Sequence, residues 1–347
     1  MPRLRTVSPT DPGIARRRQG RGFRYVDAGQ PVTDAVVITR IKSLVIPPAW
    51  EEVWICRYPN GHIQAVGTDA AERRQYLYHP QWRRQRDQAK HDRVLTVAAR
   101  LPKARQRVSQ DLTLDGMPRE RALATAFRLL DLGFFRIGGE TYAEQNGSYG
   151  LATITRDQVS LDGDLVVFEY TAKSGKERYV ALGDPELLAA VNTLRRRRGG
   201  TDELLAYRDG RNWRDITSED INTYVKDVVG GEVSAKDFRT WHGTVLAAVA
   251  LAVSTNAAGT PSSRKRAIAR AMREVADYLG NTPAVARASY VDPRVIDLFE
   301  DGTTIEPALR KLGEDVQPGH PATHGAIERA VLRMLRGAPS ARRRASR

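Results

Sequence analysis

Two arginines, a lysine, an asparagine and a tyrosine stand out in four segments, residue types that could carry chemistry on an anionic group. These are Phe135-Arg136-Ile137-Gly138-Gly139-Glu140, Lys173 within Thr171-Ala172-Lys173-Ser174-Gly175-Lys176, Lys236-Asp237-Phe238-Arg239-Thr240, and Leu279-Gly280-Asn281-Thr282-Pro283 running on to Tyr290. Guanidinium groups present paired donors that match phosphate oxygens and do not lose their proton, which lysine would not reproduce. A lysine can lend a proton to a leaving alkoxide, whereas an asparagine amide can donate a hydrogen bond but cannot relay a proton. A phenol with a pKa of about 10 is mostly protonated at neutral pH, so its attack needs nearby positive charge or a proton acceptor. Each residue alone also has a plain reading: surface arginine, solvated turn lysine (with Lys176 competing for the role of Lys173), helix-terminating asparagine, core or interface tyrosine.

The composition points to the partner. The 347 residues carry 55 Lys+Arg against 41 Asp+Glu, a formal net charge of +14, which favours a polyanion and first of all nucleic acid. A 41% hydrophobic share with 28% charged residues is ordinary for a globular protein, and no stretch approaches the ~18 apolar residues of a membrane span. Cys56 is the single cysteine, so an intrachain disulfide and a multi-cysteine zinc site are excluded, and a reducing compartment is expected. The six histidines lack metalloprotease or finger spacing, so no metal site is expected. No Walker-type glycine loop appears. The arginine-rich N-terminus has no apolar core of a secretory signal, and the expected location is a bacterial-type cytoplasm, in association with the nucleoid.

These residues need elements to hold them. Residues 1–22 and the end of the chain, with Arg3, Arg5, Arg16, Arg17, Arg18, Arg21, Arg342, Arg343, Arg344 and Arg347, read as basic arms that either solubilise or touch DNA. Residues 23–90 read as a β-rich N-terminal DNA-binding domain, with Ala35-Val36-Val37-Ile38, Glu52 to Cys56 and Ile63 to Val66 as apolar runs and Asn60-Gly61 as a hairpin turn needing positive φ. Residues 91–313 read as a mostly helical catalytic domain. Its helices are expected over Arg119 to Leu132 (started by Pro118 and stopped by Gly133), Pro185 to Leu194, Ser218 to Val228, Gly243 to Val253, Ser262 to Leu279 and Pro293 to Phe299. Leu165 to Tyr170 and Arg178 to Leu182 should form a hairpin with Lys173 at its tip. Residues 314–347 read as a C-terminal helix and basic tail. The class is therefore α+β.

In their order along the chain, the four segments resemble the active site of type IB DNA topoisomerases of the poxvirus-like and bacterial branch. The resemblance extends over about residues 31 to 300 and includes Ile46-Pro47-Pro48-Ala49-Trp50, Gly67-Thr68-Asp69 and Arg73-Arg74-Gln75-Tyr76-Leu77-Tyr78-His79-Pro80. It implies a catalytic fold related to that of the tyrosine recombinases and relaxation of supercoiled duplex DNA by a monomer. The implied reaction makes a transient single-strand break held as a 3′-phosphotyrosyl ester, lets the strand rotate and reseals it, with no ATP, metal or other cofactor. By this match Tyr290 is the nucleophile, Arg136 and Arg239 bind the scissile phosphate, and Lys173 is the general acid. Asn281 stands nine residues before the tyrosine, where many members have histidine, which suits hydrogen bonding rather than acid–base work. Gln75, Tyr76 and Tyr78 are implied base or phosphate contacts, with Arg73 and Arg74 on backbone phosphates. Two domains joined near residue 90 would open and close as a clamp around DNA.

Two alternatives belong beside this. A tyrosine site-specific recombinase shares the arginine, lysine and tyrosine set, but its front domain would be helical, and a histidine would usually stand where this chain has Lys236. An architectural DNA-binding protein would account for the charge and the basic ends, with salt-sensitive binding and no covalent adduct, but would leave the ordered set of five residues without a role.

Overall fold

A computed structural model describes residues 3–139, 143, 147–255, 259–312 and 324–338. Glu140 and the tail arginines Arg342, Arg343, Arg344 and Arg347 lie outside the described residues. The chain divides into two compact units, Met1–Lys90 and His91–Arg347. Among the described residues, no helix is long and apolar enough to cross a membrane.

The first unit is built on a six-stranded antiparallel sheet of order β3-β2-β1-β4-β5-β6. The strands are β1 (Ile14–Gln19), β2 (Gly22–Asp27), β3 (Gln30–Pro31), β4 (Glu51–Ile55), β5 (Ile63–Thr68) and β6 (Arg74–Tyr78). Ile14, Val53, Ile55 and Ala65 pack with Ile41 in one core cluster, while Val7, Cys56, Ile63 and Val66 form another. The expected flexible arm of residues 1–22 is thus corrected. Arg16, Arg17 and Arg18 lie in β1, and the Arg16 guanidinium donates to the carbonyls of Ile46, Pro47 and Trp50 at 3.2, 3.0 and 2.6 Å. Ordering a long cation is offset here by carbonyls that need donors.

The run Ala35-Val36-Val37-Ile38 is helical rather than extended, forming α1 (Ala35–Ser43). Asp34 caps it, accepting from the Val36 and Val37 amides at 2.7 and 3.3 Å, and burial of Ile41 outweighs the β preference of the branched residues. The hairpin across Asn60-Gly61 exists, with Ile55 opposite Ala65, but neither residue adopts positive φ. Gly61 is required by space instead: a Cβ there would come 2.5 Å from Cys56 Sγ.

The second unit is mostly helical, with its boundary inside α2 (Pro80–Leu112). Next come α3 (Arg119–Gly133), the three-stranded sheet β7 (Val159–Asp162), β8 (Leu165–Ala172) and β9 (Lys176–Leu182), then α4 (Pro185–Arg196) and the hairpin of β10 (Ala206–Asp209) and β11 (Asn212–Asp215). The remaining helices are α5 (Ser218–Val229), α6 (Ala235–Val253), α7 (Pro261–Leu279), α8 (Pro283–Ser289), α9 (Pro293–Glu300), α10 (Glu306–Leu312) and α11 (Ala326–Gly337). Helix α6 starts eight residues before the expected Gly243. The Asp237 carboxylate accepts from the Ser234 amide at 2.9 Å, the reciprocal arm of a capping box, and so anchors this earlier start. Phe127 of α3 meets Phe238 of α6 edge to face at 5.1 Å, a contact worth about 0.5–1.5 kcal/mol beyond its buried area. The left-handed residue ending α3 is Phe134, φ 56°, not the expected Gly133. Gly133 is needed because a Cβ would lie 2.2 Å from the Phe135 ring.

Candidate active site

Arg136 follows directly from that turn. Phe135 is held by β8 side chains that alternate inward, edge to face with Phe168 at 4.9 Å and stacked on Tyr170 at 5.9 Å. The Arg136 and Ile137 carbonyls accept from the Leu151 and Ala152 amides, both at 2.8 Å. Gly138 and Gly150 cross so closely that a Cβ on Gly150 would sit 2.4 Å from Gly138 Cα. The backbone carrying Arg136 is therefore pinned on both sides.

Three arginines gather at the C-terminal end of α7. A helix ends in carbonyls without intrahelical donors and carries partial negative charge there. Arg239 Nη2 takes Leu279 O at 2.7 Å and its Nη1 bonds Phe134 O. Arg136 Nη2 takes Gly280 O at 2.9 Å and Asn281 Oδ1 at 2.7 Å. Arg178 of β9 takes Asp277 O and Tyr278 O at 3.0 and 2.9 Å. Gly280 closes the helix at φ 61°, where a Cβ would press on Arg178. Two donors remain buried and unpartnered in this cluster, Arg239 Nε and Asn281 Nδ2.

Tyr290 arrives from the far end of α8, whose start is capped by Thr282 accepting from the Val285 amide at 3.3 Å. The Arg239 guanidinium carbon lies 5.1 Å from the centre of its ring. Thr244 Oγ1 donates to Tyr290 O at 3.2 Å, and Gly243 leaves the room: a Cβ there would come 3.3 Å from Tyr290 O and 3.2 Å from Leu279 Cδ1. Burial would raise the phenol pKa, but Arg239, Lys236 and Arg136 outweigh it and hold the group below its ordinary value. Burial and the neighbouring Arg136 charge bring Arg239 down to about 10, so it stays charged at neutral pH. Burial likewise lowers Arg136.

The structure thus brings together Arg136, Arg239, Asn281 and Tyr290. Lys173 stands exposed at the tip of the β8–β9 hairpin, before Ser174 and Gly175, both at φ 68°. It is the competing Lys176 whose Nζ lies 3.4 Å from Asn281 O. Sequence reasoning missed Arg178, Gly243 and Thr244, and did not give Lys236 its part in acidifying the phenol. Arg178 was open to discovery, because Lys176 and Arg178 are two apart on a strand and share its face. Both address the end of α7.

In the first unit, Tyr76 and Tyr78 stack at 6.0 Å and 13° on the edge strand β6, and are 40% and 38% exposed. They are not core. Gln75 Nε2 donates to Asp69 Oδ2 at 2.9 Å, and Arg73 pairs with the same oxygen at 2.8 Å. Arg73, through its side-chain and backbone hydrogen bonds, leads in drawing the Asp69 carboxyl down to about 2. Arg74 is exposed, 4.0 Å from Glu52. Asp69 thereby orders the turn that presents β6.

Comparison with known proteins agrees with this geometry. The family model described as eukaryotic DNA topoisomerase I, catalytic core, matches residues 79–305, and that of bacterial DNA topoisomerase IB, N-terminal domain, matches residues 22–69. The chain is 30% identical over 299 residues to DNA topoisomerase 1B of Acanthamoeba polyphaga mimivirus, covering 83% of this chain and 88% of the relative. It is 19% identical over 280 residues to DNA topoisomerase I of Monkeypox virus and to DNA topoisomerase 1B of Vaccinia virus (strain Copenhagen), covering 80% of this chain and 81% of each relative. Helical and β-rich units, a phenol among guanidinium groups and both family matches converge: the chain belongs to the type IB DNA topoisomerases.

Proposed function

We propose that Tyr290 Oη, its proton released to solvent, attacks a phosphodiester of duplex DNA, forming the Oη–P bond as the P–O5′ bond breaks and leaving a 3′-phosphotyrosyl ester. Arg136, Arg239 and Asn281 hold the non-bridging oxygens, where charge concentrates during phosphoryl transfer. Lys173 gives its proton to the departing 5′-oxygen, which otherwise leaves as a poor alkoxide. The freed end rotates, and the reverse transfer reseals the strand. One phosphodiester is exchanged for another, so ATP is not needed, and the fixed cations act at the phosphate without a metal. One observation above all supports this reading: an acidified phenol shares a cluster with two buried donors, Arg239 Nε and Asn281 Nδ2, that have no partner.

In the first unit, Tyr76 and Tyr78 turn flat faces and hydroxyls to the DNA, Gln75 reads a purine edge, and Arg73 and Arg74 meet backbone phosphates. The enzyme works as a monomer on the DNA of a bacterial-type cytoplasm. The test is to trap a denaturant-resistant protein–DNA adduct and map both of its ends. The expected adduct joins Tyr290 to a 3′-phosphate, and Tyr290→Phe binds DNA without adduct or relaxation. Relaxation that survives this substitution would refute the assignment.

A further inference from the structure

A second cluster in the helical unit has the donor chemistry of a metal centre. Asp131 lies near the end of α3, His242 within α6 and His324 just ahead of α11, with side chains 1%, 0% and 10% exposed. His242 Nε2 is 3.1 Å, and His324 Nε2 3.4 Å, from the same oxygen, Asp131 Oδ1. One donor atom from each residue lies within 4.8 Å of the other two. Zinc bonds of ~2.0–2.2 Å at tetrahedral angles set neighbouring donors roughly 3.3 Å apart. Two edges of the triangle already have that length.

Two further observations point the same way. His324 Nε2 is buried, and its one close polar neighbour among the described residues is Asp131 Oδ1 at 3.4 Å, too poorly aligned to count as a full hydrogen bond, although buried polar atoms are ordinarily well paired. Among the described residues, Arg105 alone pairs with both Asp131 and Glu328, at 2.7 and 2.5 Å. One guanidinium thus serves two largely buried carboxylates.

We propose that Asp131, His242 and His324 bind a divalent transition-metal ion of the zinc class, fastening the start of α11 to α3 and α6. Arg105 grips both carboxylate oxygens, Nε on Oδ2 at 2.7 Å and Nη2 on Oδ1 at 3.0 Å, and so fixes the orientation of the carboxylate, as hydrogen-bonded partners of metal ligands do. A cleft of about 1320 Å³ lined in part by Asp131, His324, Glu328 and Trp241 offers the route in and room for a water as fourth ligand. No sequence spacing announces the site, because its ligands come from residues 131, 242 and 324. The ion has no part in strand transfer; it ties down the helix that follows His324.

The experiment titrates the chelator-stripped full-length chain with Co²⁺. The expected result is one equivalent bound with the visible absorption of tetrahedral cobalt, displaced by Zn²⁺, and a melting temperature that rises with Zn²⁺ concentration. His324→Gln and Asp131→Asn should each weaken binding at least about 100-fold, while His62→Gln and His79→Gln should not. Long-range ¹H–¹⁵N spectra of the wild-type chain should show exactly two imidazoles shifting with Zn²⁺, a readout that requires no variant to fold. Absence of the tetrahedral band, a band unchanged in His324→Gln, or a melting temperature indifferent to Zn²⁺ would overturn the proposal.

Discussion

Lys236 is one helical turn ahead of Arg239, and its charge is one of three that lower the Tyr290 phenol. If the phenolate is the attacking form, single-turnover cleavage rises with pH and levels off below the ordinary phenol value of about 10. Lys236→Met should move that limb to higher pH, each unit regained costing about tenfold in rate at neutral pH. A limb that stays in place would show that Lys236 does not act on the phenol. The two hairpin lysines separate by a different measurement, because a 5′-sulfur leaves without a proton. Lys173→Ala should cleave ordinary DNA slowly and 5′-thio DNA at the wild-type rate. Lys176→Ala, which removes the contact to Asn281 O, should show no such selective rescue, and the opposite pattern would make Lys176 the acid.

At the scale of elements, the site is where four pieces of chain meet the end of α7. Gly243 sets how closely α6 approaches the Tyr290 segment, its missing Cβ lying 3.2–3.4 Å from Leu279 and Tyr290 atoms. An alanine inside a helix would by itself add stability of roughly 1 kcal/mol. We expect the reverse for Gly243→Ala: a lower melting temperature, and slower cleavage with DNA affinity retained. A variant both more stable and fully active would disprove the tight fit. The same logic shows what the sequence could disclose. Pro118, Asp184-Pro185 and Asp292-Pro293 announce helix starts because their chemistry is local. Gly133 and Gly61 mislead because their reason is a neighbour's ring or sulfur, which no local pattern contains. Arg136, Arg239, Asn281 and Tyr290 were legible as a set through family resemblance, whereas Arg178 and Gly243 became visible only once α7 had folded against them.

Across the molecule, the net charge of +14 does not distinguish arginines that meet DNA from those that hold the protein together. Arg16, placed by its sequence in a free arm, instead closes a loop. Among the described residues, Arg105 makes the longest-range side-chain contact in sequence, tying α2 to Asp131 of α3 and to Glu328 of α11, 223 residues away. Asp131 and Glu328 are held below their ordinary values despite burial, with Arg105 the leading favourable partner of each. Removing it leaves two buried carboxylates without their cation, a loss of about 3–5 kcal/mol by precedent for broken buried pairs. Arg105→Met should therefore lower the melting temperature and expose the segment around α11 to protease before the rest of the helical unit. Adding Glu328→Leu to Arg105→Met should restore part of the loss, because the second stranded charge goes with its partner. If Arg105→Met melts like the wild type, the Arg105 ion pairs contribute nothing to the attachment of this helix, and its other contacts, the burial of Ala330, Val331 and Leu335 among them, hold it without them.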